Sequence, residues 1–276
     1  MLHNGNRLNR INLTGENLIF SWFKNRRRKR VNSHPVPDAW RAIIESRLPY
    51  VATLPFPQQE ELLNFTQIFL TEKYFEGCNG FQITDDVRVT IAAQACILLL
   101  NRKTDIYPRL KTVLVYESAF YAEQEEYDED GLVSISDEAH AGESWDIGVV
   151  ILAWEEIVRG LRHPHDGYNV IIHEFAHQLD HENMETGGVP ILDEQSLYPR
   201  WQEVFSEHYA GLLKDLQRHK KTVLDDYAAT NPAEFFAVAT ESFFEESAKL
   251  EKRHPELYEV LSEYYKQDPA PREFKE

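Results

Sequence analysis

The stretch "VIIHEFAHQLDHEN", Val170 to Asn183, sets two histidines four residues apart with a glutamate directly after the first. Ile171, Ile172, Phe175, Ala176 and Leu179 recur at helical spacing, while His173, His177 and Asp180 fall on another face, which predicts an amphipathic α-helix. Residues i and i+4 of a helix project one turn apart, so both imidazoles can reach one zinc ion. Glu174 lies about 100° round the helix, beside the metal instead of on it, where its carboxylate can take a proton from a zinc-bound water. A bare HExxH has roughly one chance in twenty of arising in a chain of this composition, so its weight depends on what stands elsewhere.

A catalytic zinc needs a third protein ligand and a further position for water. Three ligands along one straight helix suit a tetrahedral ion badly, so Asp180 is expected to orient a histidine from outside the ligand set, or to be a surface or capping carboxylate. His163, His165 and His181 read as solvent-exposed, with "HPHDG" (163–167) a turn. The better candidate lies in "NPAEFFAVATESFFEES" (231–247), where Asn231 is a good N-cap, Pro232 fits the first helical position and Glu234 falls third. A glutamate at that position is also what a capping box uses. Glu241, seven residues on, shares its face, and spacing leaves open which carboxylate ligates and which supports.

Outward from these motifs, "DAWRAIIESRL" (38–48) and "QQEELLNFTQIFLTEKYF" (58–75) read as helices. "LKTVLVYESAF" (110–120), "GLVSIS" (131–136) and "DIGVVILAW" (146–154) read as strands, with "AEQEEYDEDG" (122–131) a solvated acidic loop. Helices follow to the C-terminus, and helices, strands, helices in that order predict an α+β class. Residues 1–36 read as a polar, basic, poorly ordered tail ending in "NRRRKR" and a Pro-rich entry. The apolar run "IAAQACILLL" (91–100) is half a membrane span and predicts a buried core helix.

The 29 Lys+Arg stand against 46 Asp+Glu, which argues against direct nucleic-acid binding. Cys78 and Cys96 form neither a CxxC pair nor a disulfide framework, and the basic cluster follows the only short apolar piece of the N-terminus, the wrong order for a secretory signal; both suggest cytoplasm.

"GESWDIGVVILAW" (142–154), "VIIHEFAHQLD" (170–180), "GGVP" (187–190) and "DDYAATNPAEFFAVATESFF" (225–244) together resemble the bacterial Mlc titration factor A family of zinc metallopeptidases, over residues 37–270. The last block also resembles the catalytic domain of anthrax lethal factor. The resemblance implies a zincin-like fold, mostly helical with a small mixed sheet above the HExxH helix, in one zinc-peptidase domain over 37–276 (upper part 37–180, lower part 181–276). It implies one Zn2+ held by His173, His177 and Glu234, with Glu174 as general base and acid and Tyr227 stabilising the oxyanion. It further implies peptide hydrolysis of aminopeptidase type, with Gly148 to Ala153 as an edge strand pairing with substrate backbone. The implied partner is an Mlc-like DNA-binding repressor of sugar-uptake genes. The alternative is a non-enzymatic protein that sequesters such a repressor and keeps a secondary or vestigial peptidase site.

Overall fold

The computed structural model describes residues 15–118, 120–127, 133–140, 142–145, 148–183 and 187–270. The chain divides into two compact units, Met1–Pro35 and Val36–Glu276. In the first, Gly15–Asn32 forms helix α1, so the segment expected as an unordered tail carries regular structure. The cause is local: residues 16–32 contain neither Gly nor Pro and are rich in Arg and Lys, which lose little on entering a helix. Its Trp22 and Phe23 rings meet edge to face at 5.0 Å, and the Arg26 guanidinium lies 5.4 Å from the Trp22 ring.

The second unit opens with helices α2 (Asp38–Arg47), α3 (Pro49–Thr53), α4 (Phe56–Glu72) and α5 (Asp85–Ile97). α5 starts where the Thr84 hydroxyl accepts from the Val87 N–H, and every residue from Val89 to Leu100 is buried, as the apolar run predicts. No described helix is long and apolar enough to cross a membrane.

The strands are β1 (Tyr74–Gly77), β2 (Thr112–Tyr116), β3 (Phe120–Tyr127), β4 (Val133–His140), β5 (Gly142–Trp145) and β6 (Val149–Ala153). One mixed sheet runs β1-β2-β6-β5, with β1, β2 and β6 parallel and β5 antiparallel to β6. β3 and β4 form a separate antiparallel pair, Phe120 opposite His140 and Tyr127 opposite Val133.

Two expectations are corrected here. The acidic segment is not all loop: 122–127 belongs to β3, because pairing with β4 satisfies its backbone whatever the side chains carry. Nor is 148–153 an edge: β6 lies between β2 and β5, and the terminal strand is β5. Gly148 enters β6 at φ +79°, where a Cβ would stand 2.4 Å from the Arg109 carbonyl oxygen.

The remaining helices are α6 (Trp154–Arg162), α7 (Val170–Asp180), α8 (Tyr198–Gln217), α9 (Pro232–Glu245), α10 (Ser247–Arg253) and α11 (Pro255–Tyr265). The unit is thus α+β and mostly helical. Phe175 of α7 packs against Tyr107 at 4.8 Å and Phe69 of α4 at 5.8 Å between ring centres. On α9, Phe236 meets Trp201 of α8, and Phe243 meets Tyr258 and Tyr265 of α11. Burial of each such ring stabilises by about 1.5–3 kcal/mol, and these rings anchor α7 on α4 and α9 on α8 and α11.

Candidate metal centre

α7 begins at Asn169, whose Oδ1 accepts from the Ile172 N–H at 3.1 Å. Its apolar stripe is wholly buried, so the opposite side, carrying His173 and His177, turns to α9. α9 begins at Asn231, whose Oδ1 accepts from the Glu234 N–H at 3.0 Å, with Pro232 at the first helical position. The Glu234 carboxylate stands at the histidines: Oε2 is 3.0 Å from His173 Nε2 and 3.2 Å from His177 Nε2, and the two Nε2 atoms are 3.2 Å apart. Donors 2.0–2.1 Å from a tetrahedral ion lie about 3.3 Å from one another, so this triangle has the dimensions of a zinc site. It is the one group of three or more potential metal ligands among the described residues.

The surroundings suit a cation as well. His173 Nδ1 lies 2.7 Å from Glu241 Oε1, which fixes the ring with Nε2 facing the triangle. Burial disfavours the charged form of His173, but the charge of Glu241 and the bonds to Glu234 and Glu241 outweigh it and raise its pKa well above the usual range. Burial likewise raises Glu234, yet its bonds to both histidines prevail and hold it at about 2. Glu174 is 4% exposed and burial pushes it up to about 7, against the pull of His173 and His177. Its buried Oε2 has no hydrogen-bond partner among the described residues, a position that a water held at the triangle would satisfy.

The description "Glucose-regulated metallo-peptidase M90" belongs to the family model that matches residues 22–266. The chain is a member of the M90 metallopeptidase family. An uncharacterized protein of Synechocystis sp. is 47% identical over 244 residues, 88% of this chain and 89% of the relative. Mlc titration factor A of Pectobacterium atrosepticum is 32% identical over 242 residues (85% and 88%), and that of Cronobacter sakazakii 31% over 244 (86% and 88%). The resemblance to the Mlc titration factor A family is thereby established.

In this M90 chain Asp180 does something other than orient a histidine. It is fully buried and accepts from the backbone N–H groups of Gly187 (3.1 Å), Gly188 (2.9 Å) and Val189 (2.8 Å). Gly188, at φ +73°, then packs so closely on α9 that a Cβ would stand 2.3 Å from the Pro232 carbonyl oxygen, and its own carbonyl accepts from Trp201 Nε1 at 3.0 Å. The carboxylate behind His173 is Glu241, braced by Asn169, which Glu245 holds in turn. The Asn169 N–H donates to Glu241 Oε2 at 2.6 Å, and Asn169 Nδ2 donates to Glu245 Oε1 at 2.7 Å. Nothing in the spacing of Asn169 or Glu245 singled them out; only Asn169's place as N-cap was a signal.

Tyr227 sits in a 3-10 turn, Asp226–Ala229, whose start is held by Asp225 Oδ1 accepting the Tyr227 N–H at 2.9 Å. Its ring is 53% exposed and 6.0 Å from the His173 ring, centre to centre. The His181 ring stacks at 6.3 Å on His177 without joining the triangle, and His163 and His165 are exposed and away from it.

Proposed function

We propose that the protein is a zinc peptidase of zincin-like architecture in which His173, His177 and Glu234 hold one Zn2+. The observation that carries this is the convergence of their three donor atoms at 3.0–3.2 Å beside a buried carboxylate oxygen without a partner. When bound, the ion supplies Lewis acidity toward water and the scissile carbonyl. Glu174 takes a proton from the attacking water and passes it to the leaving amide nitrogen, its raised pKa suiting both directions near neutral pH. Tyr227 turns its phenol O–H toward the oxyanion; the wet, exposed ring leaves it room to swing in. Substrate backbone pairs with β5, the terminal strand, in place of the inner β6 first expected.

Among peptidase modes we favour removal of N-terminal residues, which the family resemblance suggests. Comparing free with N-acetylated peptides of one sequence tests it, since equal cleavage of both means an endopeptidase. The free Cys78 and Cys96 accord with a cytoplasmic setting.

Metal analysis with peptide hydrolysis tests the centre. Glu174→Gln should retain one zinc per chain and lose about 10²–10⁴-fold in kcat. Glu234→Ala should lose zinc, and zinc retained there but lost in Glu241→Ala would exchange the two carboxylates' roles. The name Mlc titration factor A favours a second, compatible reading, in which the chain binds an Mlc-like DNA-binding repressor. If the wild type captures such a repressor and cleaves no peptide, that reading stands alone, with the peptidase site vestigial.

A further inference from the structure

Asn169, one turn before His173, and Ile172, directly before it, form part of the wall of a cavity of about 1130 Å3. His173, His177 and Glu234 are not part of that wall. The volume matches or exceeds that of sites enclosing drug-sized ligands, about 300–1000 Å3. Leu48, Leu54, Ile97, Leu161 and Phe244 give the wall apolar surface, and Tyr50 meets Phe244 edge to face at 6.0 Å within it.

One polar group stands out. Gln94 of α5 faces the cavity, is 5% exposed, and has no hydrogen-bond partner for its amide among the described residues. An unpaired amide that opens on a cavity can exchange water for a ligand, and its neighbours on α5 from Val89 to Ile97 are otherwise almost all apolar. The Arg and Lys groups of the wall, by contrast, are already paired. Arg47 donates twice to Asp86, Lys266 pairs with Asp193 and Lys249 with Glu246, while Glu245 is engaged by Asn169. Glu245 and Asp268 accept from the neutral Asn169 amide, His165 backbone and Tyr258 hydroxyl, so among the described residues the wall keeps no Arg or Lys free for an anion, while an uncharged N–H donor suits it. A primary amide sets one donor beside one acceptor, the complement of a cyclic amide edge, as when glutamine reads adenine bidentately.

We propose that this cavity binds a neutral, flat ring carrying adjacent N–H and C=O groups, held by Gln94 and packed against Tyr50 and Phe244, and that Asn169 relays its occupancy to the metal centre. Asn169 belongs to the wall, and its N–H holds the Glu241 carboxylate that in turn holds His173 Nδ1. A ligand that shifts Asn169 shifts the histidine two bonds of the network away. The relay rests on the zinc reading above; the ligand site does not.

The test is a titration of the full chain, zinc-free and zinc-loaded, with 2-quinolone, followed by saturation-transfer NMR. The expected result is binding by 2-quinolone and about tenfold weaker binding by quinoline, which lacks the N–H and C=O edge. Gln94→Leu should bind 2-quinolone about tenfold more weakly while quinoline is unaffected, and Leu161→Trp, which fills the cavity, should exclude both. Zinc loading should change the Kd for 2-quinolone by about threefold or more. Absence of 2-quinolone binding at millimolar concentration, or Gln94→Leu binding it as tightly as wild type, overturns the ligand site. A Kd unchanged in protein that demonstrably holds zinc overturns the relay. A chain that takes up no zinc defeats the metal reading and the relay with it, while the zinc-free titration still decides the site.

Discussion

The two ends of α7 are both tied to α9, by different chemistry. At the N-terminal end the tie runs through carboxylates of α9: Glu241 accepts the Asn169 backbone N–H and holds His173, and Glu245 accepts the Asn169 side-chain amide. At the C-terminal end it runs through backbone: Asp180 gathers three amides of the Gly187–Val189 turn, and Gly188 is pressed on the Pro232 carbonyl. The first end touches a metal-ligand candidate and sets its proton affinity. The second never touches one and sets only where α9, and with it Glu234, sits. Substitutions at the C-terminal end should therefore act on stability first, and those of Glu241 at the N-terminal end on metal affinity first.

The largest effect is expected from Asp180→Ala, which strands three N–H donors, that of Gly188 buried, and leaves a hole at a fully buried position. Urea denaturation should show a loss of about 3 kcal/mol or more. A loss under about 1 kcal/mol would mean that the turn is not held as described.

Next comes Glu241→Gln, expected to cost clearly less stability than Asp180→Ala while weakening zinc about 10–100-fold, as read by competition with a chromophoric chelator. Equal stability losses in the two variants would erase the distinction between the ends.

A smaller, graded effect concerns pH. The metal-free His173, raised by its carboxylates, carries a proton that zinc must displace. Apparent zinc affinity should thus rise with pH, by about tenfold per unit while that proton remains bound, and flatten above the raised pKa. The same shift works the other way on metal-free stability. A His raised in the folded state stabilises most below its unfolded pKa, so the metal-free protein should lose that contribution as pH rises. Glu241→Gln should flatten both slopes.

The smallest is Asn169→Ala, which removes a helix cap and the bond to Glu245 and should cost about 1 kcal/mol by urea denaturation.

How far the sequence could be read follows from the range of each interaction. The α7 helix and its paired histidines were legible because periodicity is local, and the same holds for the buried α5. Glu234 and Glu241 share a helix face, so spacing left them tied; they part only because the turn at Gly188 fixes the start of α9 near the histidines and leaves Glu241 a helical turn and more behind. The role of Asp180 was hidden because its partners are backbone amides seven to nine residues on, which no side-chain pattern marks. β5, "GESW", and β1, "YFEG", are four residues long and poor in β-branched side chains, so no sequence pattern marks the sheet's outer strands and β6 reads as an edge.

Anomalous diffraction at the zinc absorption edge, from crystals of the zinc-loaded full chain, addresses the metal centre most directly. The predicted result is a single peak within about 2.0–2.2 Å of His173 Nε2, His177 Nε2 and a Glu234 oxygen, with Glu241 still on His173 Nδ1. A peak coordinated by Glu241 in place of Glu234, or no peak at the triangle, would contradict it.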